Sequence, residues 1–416
     1  MTVSFYTLGC KVNQYETESM KNILLKNGFS LSDNGDIAIV NSCTVTAESD
    51  RKTRQLLNRI RKNNPNVILV LTGCMPQAHP EKAAEFNADI IIGNTAKRDI
   101  LKAINAYLKN KEKLIELYKH ESDEEFCESP IESFSEKTRA FMKIEDGCNR
   151  ACTYCIIPKA RGRVRSRKLE DIKAEAEILA KKGYKEIVLT GINLSSYEYG
   201  LEKAVKVVAN TDGIKRVRLG SLEPDLLTDE LLMTLKNIPE FCANFHLSLQ
   251  AGCNNTLKRM NRFYTKEEYF TLIESIYEIF DNPSITTDIM VGFAGETEED
   301  FIESCEFVKK VGFAHVHIFP YSIRSGTFAE NFKDQITKQE KARRAKIMED
   351  AAKKASLNFN TKQIGKTLPV LIESDNTGYT ENYLKVTVLE KANEGEILNI
   401  KISSCDSEGL YGNIEQ

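Results

Sequence analysis

No apolar run in these 416 residues approaches the length of a membrane-spanning helix; the longest, such as VILVL at 67–71, fit buried strands. The N-terminus, MTVSFYTLGCKVNQ, has no cationic segment leading into an apolar one, so no secretory leader is expected. An excess of positive charge is missing as well. The formal net charge is −3, so the whole chain is not a basic nucleic-acid binder, and any such surface must be a local patch. Without an export signal, the eleven cysteines do not read as a disulfide framework. Metal ligation or catalysis in a reducing, cytoplasmic setting is expected instead. One further absence frames the chemistry. The stretch 145–168, EDGCNRACTYCIIPKARGRVRSRK, holds Cys148, Cys152 and Cys155 but no fourth cysteine.

β-rich apolar runs alternate with longer amphipathic stretches, the pattern of an α/β chain with parallel strands. Residues 1–120 offer the strands VSFYTL, DIAIVN, NVILVLT and ADIIIG. Residues 121–137, ESDEEFCESPIESFSEK, hold seven acidic residues and one basic residue and read as an acidic, mobile linker. Residues 138–357 offer six strands, RAFMKI, KEIVLT, KRVRLG, NFHLSL, ITTDIMV and AHVHIF. Five lead to helix-like segments and the last to a loop and a long charged helix, so six βα units imply an incomplete barrel. Residues 362–416 change character. Short alternating strands with Gly and Asn turns imply a small antiparallel barrel.

In the first region TLGC, NSC and LTGC end successive strand candidates at Cys10, Cys43 and Cys74, spaced 33 and 31 residues apart. That is about one βα unit each. Parallel strands deliver their C-terminal ends to one sheet edge, where ligand sites of open α/β sheets lie. A lone cysteine there is commonly just buried; three at matching positions read as a thiolate trio. Cys148, Cys152 and Cys155 follow the first strand of the second region, spaced C-x3-C-x2-C. Zinc would need a fourth ligand, and His246, His315 and His317 lie in later strands. A bacterial ferredoxin run would carry a fourth cysteine, where Ile156, Ile157 and Pro158 stand. Three thiolates on four irons leave one iron open, which marks a catalytic centre.

The loop, with Tyr154 before its last cysteine, resembles the radical S-adenosylmethionine (SAM) signature. TLGCKVNQYE, LTGINLSSY, HLSLQAG, DIMVGFAGET and FPYSIRSGT extend the resemblance along the chain to the methylthiotransferase family. Two positions depart from the family pattern, Ala251 in QAG and Ala294 in FAGET. The resemblance implies a central radical SAM partial barrel and a C-terminal segment similar to an RNA-binding TRAM domain. It implies SAM and two 4Fe-4S clusters, one on Cys148, Cys152 and Cys155 and an auxiliary one on Cys10, Cys43 and Cys74. In such enzymes the first reduces SAM to a deoxyadenosyl radical and the second supplies sulfur. TLGCKVNQYE is most similar to the enzymes that modify C2 of threonylcarbamoyladenosine (t6A) in tRNA. Isopentenyladenosine tRNA and a ribosomal protein remain as alternative substrates, and a metal-containing RNA-binding protein is the non-enzymatic alternative. An electron donor and a sulfur donor are implied partners; a membrane is not.

Catalytic groups belong at the C-terminal ends of barrel strands. Gly191, Asn193, Ser221, Glu223 and Gln250 stand there, and by resemblance they contact the amino group, ribose and carboxylate of SAM; ordinary turn and cap chemistry would use the same residue types. Alternation puts His246, Ser248 and Gln250 on one face, with His246 expected as a satisfied core histidine. Arg161, Arg163, Arg165 and Arg167 alternate, so an extended backbone would put them on one face, and six of the ten residues at 159–168 are basic. This run, Arg163 included, is expected to bind the carboxylate of SAM or tRNA phosphate. Arg161, Arg163 and Arg324 are candidate cations for the carboxylate of t6A. Cys127, Cys242, Cys253, Cys305 and Cys405 read as structural.

Overall fold

The computed structural model describes residues 1–121, 124–127, 130–131 and 138–415. Six parallel strands open the chain: β1 (Thr2–Thr7), β2 (Ser30–Leu31), β3 (Ile37–Ser42), β4 (Ile68–Gly73), β5 (Ile90–Ile92) and β6 (Leu114–Glu116), in the order β2-β1-β3-β4-β5-β6. β3 and β4 are buried throughout because helices cover both faces of the sheet. On one face Val3, Ile37, Ile39 and Val70 meet Met20 and Leu24 of the helix Lys11–Lys26 and Ile100 and Ile104 of the helix Ile100–Asn110. On the other, Ala38, Val40, Leu69 and Leu71 meet Leu56, Leu57 and Ile60 of the helix Ala47–Asn63. The edge strands β2 and β6 go beyond the four strands read from the sequence; two and three residues are too short to show a pattern.

The central region follows: β7 (Ala140–Lys143), β8 (Glu145–Asp146), β9 (Arg165–Ser166), β10 (Glu186–Thr190), β11 (Arg216–Leu219), β12 (Ser221–Leu222), β13 (Asn244–Leu247), β14 (Ser284–Val291) and β15 (His315–Pro320). The parallel order is β7-β10-β11, then β12-β13-β14-β15, with β11 and β12 consecutive pieces of one strand path broken at Gly220. Six strand positions thus form an incomplete barrel whose free edges are β7 and β15. Helix Lys11–Lys26 packs against β7. The antiparallel pair β8 and β9 pinches the base of the cysteine loop. Helix Lys338–Thr361 packs back on β15 and leads to the last region.

That region is a closed five-stranded barrel: β16 (Thr367–Ile372), β17 (Thr377–Thr380), β18 (Lys385–Val388), β19 (Ile397–Cys405) and β20 (Leu410–Ile414). Four pairs are antiparallel, as expected, but β18 and β20 run parallel and complete the closure. This small barrel is docked on the N-terminal ends of the central strands. The buried Arg216 donates to the Tyr379 and Pro369 carbonyls at 3.0 and 2.8 Å, and Arg218 donates to those of Glu381 and Thr380 at 2.7 and 3.1 Å. Of the acidic linker, residues 122–123, 128–129 and 132–137 lie outside the described residues. Its described part is anchored: Glu124 pairs with His120 and Arg165, and Ile131 is buried.

Candidate active site between two cysteine trios

β1, β3 and β4 are neighbours in the sheet, so Cys10, Cys43 and Cys74 come to one edge at the ends of adjacent parallel strands. Burial raises the Cys43 thiol to about 11, with Cys74 and Cys10 adding like-charge repulsion. Cys10 is raised first by the same loss of solvent; the Arg161 guanidinium opposes the shift and Cys74 reinforces it. Such mutual repulsion is the mark of convergent thiols that a cation would relieve. Local backbone makes the convergence possible. Gly73 has φ +107°, and a Cβ there would sit 2.3 Å from the Ser42 carbonyl oxygen, so only glycine lets β4 pass into Cys74 this close to β3. Cys10 caps the helix Lys11–Lys26, whose N-terminus favours a thiolate.

The second trio sits in one loop. Its backbone is pinned from outside: Thr153 N–H donates to the Met260 carbonyl at 3.0 Å, the Thr153 hydroxyl to that of Arg259 at 2.9 Å, and the Asn261 amide to that of Ala151 at 2.9 Å. Cys155 is pushed up to about 12, first by burial and then by Cys152 and Cys148. Backbone N–H of Arg150 and the Asn193 amide point at Cys148 Sγ (3.4 and 3.7 Å), and the Arg262 guanidinium points at Cys152 Sγ at 3.4 Å. Donors aimed at sulfur suit bound thiolates. Among the described residues no fourth thiol joins either trio, and all eleven cysteines are free. Each trio therefore fits a four-iron cluster with one iron left for a non-protein ligand.

The elements beside the two trios pack together. Cys74 and Ala78 of the helix Cys74–Ala78 pack on Ile156 and on Ala160 of the helix Ile157–Arg161, which follows the second loop directly. Asn94 joins the two, donating to Cys74 Sγ at 3.5 Å and to the Ala160 carbonyl at 2.7 Å. Beneath this contact lies a buried charge cluster. Glu16 receives Lys97, Lys143 at 2.9 Å and Arg161, and Asp146 receives Lys143 at 2.7 Å and Arg161 at 3.3 Å. Burial acts to raise both carboxyls, but the Arg161 and Lys143 charges win and hold them below the usual carboxylate range.

Of the residues expected at the mouth, Gly191 and Asn193 lie beside the second trio. A Cβ on Gly191 would meet Glu145 Oε2 at 2.6 Å, and Asn193 N–H donates to that oxygen at 2.7 Å. Burial lifts the Glu145 carboxyl to about 8. Glu145 Oε1 and Asn193 Oδ1 are buried without a partner, an arrangement that a polar ligand such as SAM would complete. Glu223 is ion-paired to Arg262. Tyr154 packs edge-on against Phe293 at 6.2 Å. Ser221 opens β12 and Gln250 lies three residues past β13, and among the described residues neither makes a side-chain hydrogen bond to the loop. Gln250 instead adopts φ +68° and bonds through its backbone to Asp288 and Met290.

The arginine run does not share a face. Arg161 ends a helix and is fully buried against Glu16; Arg165 pairs with Glu124 and Asp146; Arg167 is buried against Glu175 at 2.8 Å. Arg163 alone is exposed, and it does not reach the cysteine loop through any side-chain bond. Arg324 is buried on Asp50 (2.6 Å), Thr44 and His79. Neither Arg161 nor Arg324 is available to a substrate carboxylate. His246 is not a core histidine but a half-buried one, bonded to Thr286 at 2.9 Å and lying 3.4 Å from Asp288. Arg262 and Glu145 were missed; Arg262 contacts Cys152 across 110 residues, and no local pattern marks it.

The incomplete six-strand barrel with a three-cysteine loop after its first strand defines the class: a radical SAM enzyme. The Radical SAM superfamily model matches residues 142–308, and the model described as Uncharacterized protein family UPF0004 matches residues 2–93. The radical SAM methyltransferase TsrM from Kitasatospora setae shares the fold, with a TM-score of 0.59 at 14% identity over 77% of this chain and 74% of that one. Closer relatives narrow the class. The threonylcarbamoyladenosine tRNA methylthiotransferase MtaB of Aquifex aeolicus is 38% identical over 93% of this chain and 96% of its own length. That of Thermotoga maritima is also 38% identical, over 98% and 96%. The tRNA-2-methylthio-N(6)-dimethylallyladenosine synthase of Thermotoga petrophila is 33% identical over 98% and 96%. The chain belongs to the radical SAM methylthiotransferase family.

Proposed function

We propose that this enzyme adds a methylthio group to C2 of t6A in tRNA. The observation that carries the reading is the packing of the helix that opens at Cys74 against the segment that follows the Cys148–Cys155 loop, beside relatives that bear this activity by name. Cys148, Cys152 and Cys155 would hold the cluster that binds SAM, and Cys10, Cys43 and Cys74 the auxiliary cluster. Bound there, the clusters and SAM supply the radical and sulfur chemistry that side chains cannot perform on an unactivated aromatic carbon. The chain's own part is positional. Asn193, Glu145, Glu223, Gly191 and Arg262 shape the polar rim for SAM, with Tyr154, Ser221 and Gln250 at its border. Arg161 fixes the geometry between the two sites. Arg163 remains free for tRNA phosphate.

Residues 1–120 carry the auxiliary site, 138–357 the SAM site, and 362–416 a TRAM-like barrel for the anticodon stem–loop. The target base must be splayed from its loop to reach the sites. A tRNA substrate supports a cytoplasmic site of action. No helix among the described residues is long and apolar enough to cross a membrane. A reductant and a sulfur donor complete the reaction. The dimethylallyladenosine relative is only a few per cent less identical and keeps that substrate as the second reading. Nucleoside analysis of total tRNA from a deletion strain decides: the methylthio form of t6A disappears and t6A accumulates. Loss of methylthio-isopentenyladenosine instead would overturn the assignment.

A further inference from the structure

Lys11, next to Cys10, has no anion paired with it among the described residues. It is only partly exposed, and among the described residues it makes no ion pair or hydrogen bond. Its Nζ lies 5.9 Å from the Phe141 ring on β7 and 5.7 Å from the Tyr383 ring of the C-terminal barrel. The neighbouring charges do not compensate it. Glu186 is taken by Arg218 at 3.0 Å, with Arg216 and Arg139 at 3.8 and 3.9 Å, and Glu373 is taken by Arg139 at 2.7 Å. Among the described residues, four cations, Lys11, Arg139, Arg216 and Arg218, therefore share two carboxylates. Burial acts to raise the Tyr383 phenol, but the Arg139 and Lys11 charges hold it below its usual value.

Tyr383 is an independent sign of function. It adopts φ +62°, which a bulky side chain rarely takes, and so presents its ring to Lys11, Arg139 (5.2 Å) and Arg218 (4.7 Å) while stacking on Tyr379 at 4.8 Å. Near Lys11, on β13, β14 and β15, stand His246, Asp288 and His317, whose side chains converge, and Phe319 of β15 is 44% exposed. Three regions of the chain thus meet around Lys11: Lys11 itself from the first, Phe141 of β7 and His317 of β15 from the second, and Tyr383 from the third.

We propose that Lys11, with Arg139 and the Tyr383 hydroxyl, receives the carboxylate of the threonylcarbamoyl group on the target adenosine. The inference rests on the t6A reading above and names the residues that make it selective. A carboxylate set between Lys11 and Arg139 balances the surplus charge, and a substrate lacking it leaves that charge buried and unpaired. His246 and Asp288 offer hydrogen-bond partners for the rest of the polar group, and Phe319 offers a face for the base.

The test is a binding cycle on the full chain reconstituted with iron and sulfide. Anticodon stem–loop RNA carries t6A, its neutral carboxamide analogue, or unmodified adenosine. The wild type should bind the t6A RNA about tenfold tighter than the other two. Lys11→Gln should bind all three alike, with iron content and SAM affinity unchanged, and Lys11→Arg should keep part of the preference. Tyr383→Phe, remote from every cysteine in sequence, should narrow the preference as well and covers the case in which Lys11→Gln disturbs cluster assembly. A full preference retained in Lys11→Gln and Tyr383→Phe overturns the assignment to Lys11 and leaves the t6A reading intact. Lost SAM affinity in Lys11→Gln with the preference retained would make the carboxylate of SAM the partner and overturn the assignment too. A wild type that does not distinguish t6A from adenosine overturns the substrate reading, and this inference with it.

Discussion

The two cysteine trios hold the same number of thiols and are built in opposite ways. Cys148, Cys152 and Cys155 lie within eight consecutive residues, on a loop pinched by β8 and β9 and pinned to the 259–261 backbone. Cys10, Cys43 and Cys74 come from three strand ends of one sheet and exist as a trio only when that sheet is folded. One site is local and the other is topological. The contrast implies that the topological site can lose its metal to a fault in distant packing, whereas the local one answers mainly to its own loop.

The largest break in this comparison is removal of the loop site. Replacing Cys148, Cys152 and Cys155 together by alanine should leave about half the iron and no detectable SAM cleavage or methylthio product. Next is a test of topology. Gly73→Ala drives a Cβ into the Ser42 carbonyl, so it should cost about half the iron while SAM cleavage persists. Full iron content in Gly73→Ala would show that the strand end can relax and that the first site is less demanding than argued.

Two smaller effects sharpen the link between the sites. Arg161→Met leaves Glu16 and Asp146 short of a buried partner, and breaking such a network costs about 3–5 kcal/mol, read from denaturant midpoints. The last concerns pH. His79, buried beside Arg324 where the first region meets the second, has its pKa lowered to about 4, chiefly by burial and then by that guanidinium. A histidine lowered on folding contributes stability above its ordinary value near 6.5, which is lost as pH falls through about 4. His79→Gln should therefore flatten the stability profile between those values, by about 3 kcal/mol at most. An unchanged profile would remove His79 as its source.

Legibility in the sequence followed the same divide. The loop was readable because its spacing alone defines it, and the strand-end trio because the βα period is regular. The arginine run was misread because alternation presumes extended backbone, and Arg161 instead ends the helix Ile157–Arg161. Its partner Glu16 is 145 residues away, so its burial has no local signature. Arg324 failed for the same reason, paired to Asp50 across 274 residues. The C-terminal barrel was legible in its turns and strands, but not in its seat. Arg216 and Arg218 bind its carbonyls from within the central strands, so cutting the chain at 362 would expose two buried guanidiniums as well as remove the proposed RNA-binding barrel. Lys11 stood in TLGCKVNQYE all along; only the folded arrangement reveals that no carboxylate among the described residues pairs with it.

The central claim is that the two sites divide the labour, and one measurement tests it most directly. A Cys10/Cys43/Cys74 triple-alanine variant, reconstituted without oxygen and given reductant, SAM and t6A stem–loop RNA, is assayed for deoxyadenosine and for methylthio product. The account predicts about half the wild-type iron, deoxyadenosine formation and no methylthio product. Methylthio product from that variant, or no deoxyadenosine from a folded variant that keeps its second cluster, would contradict it.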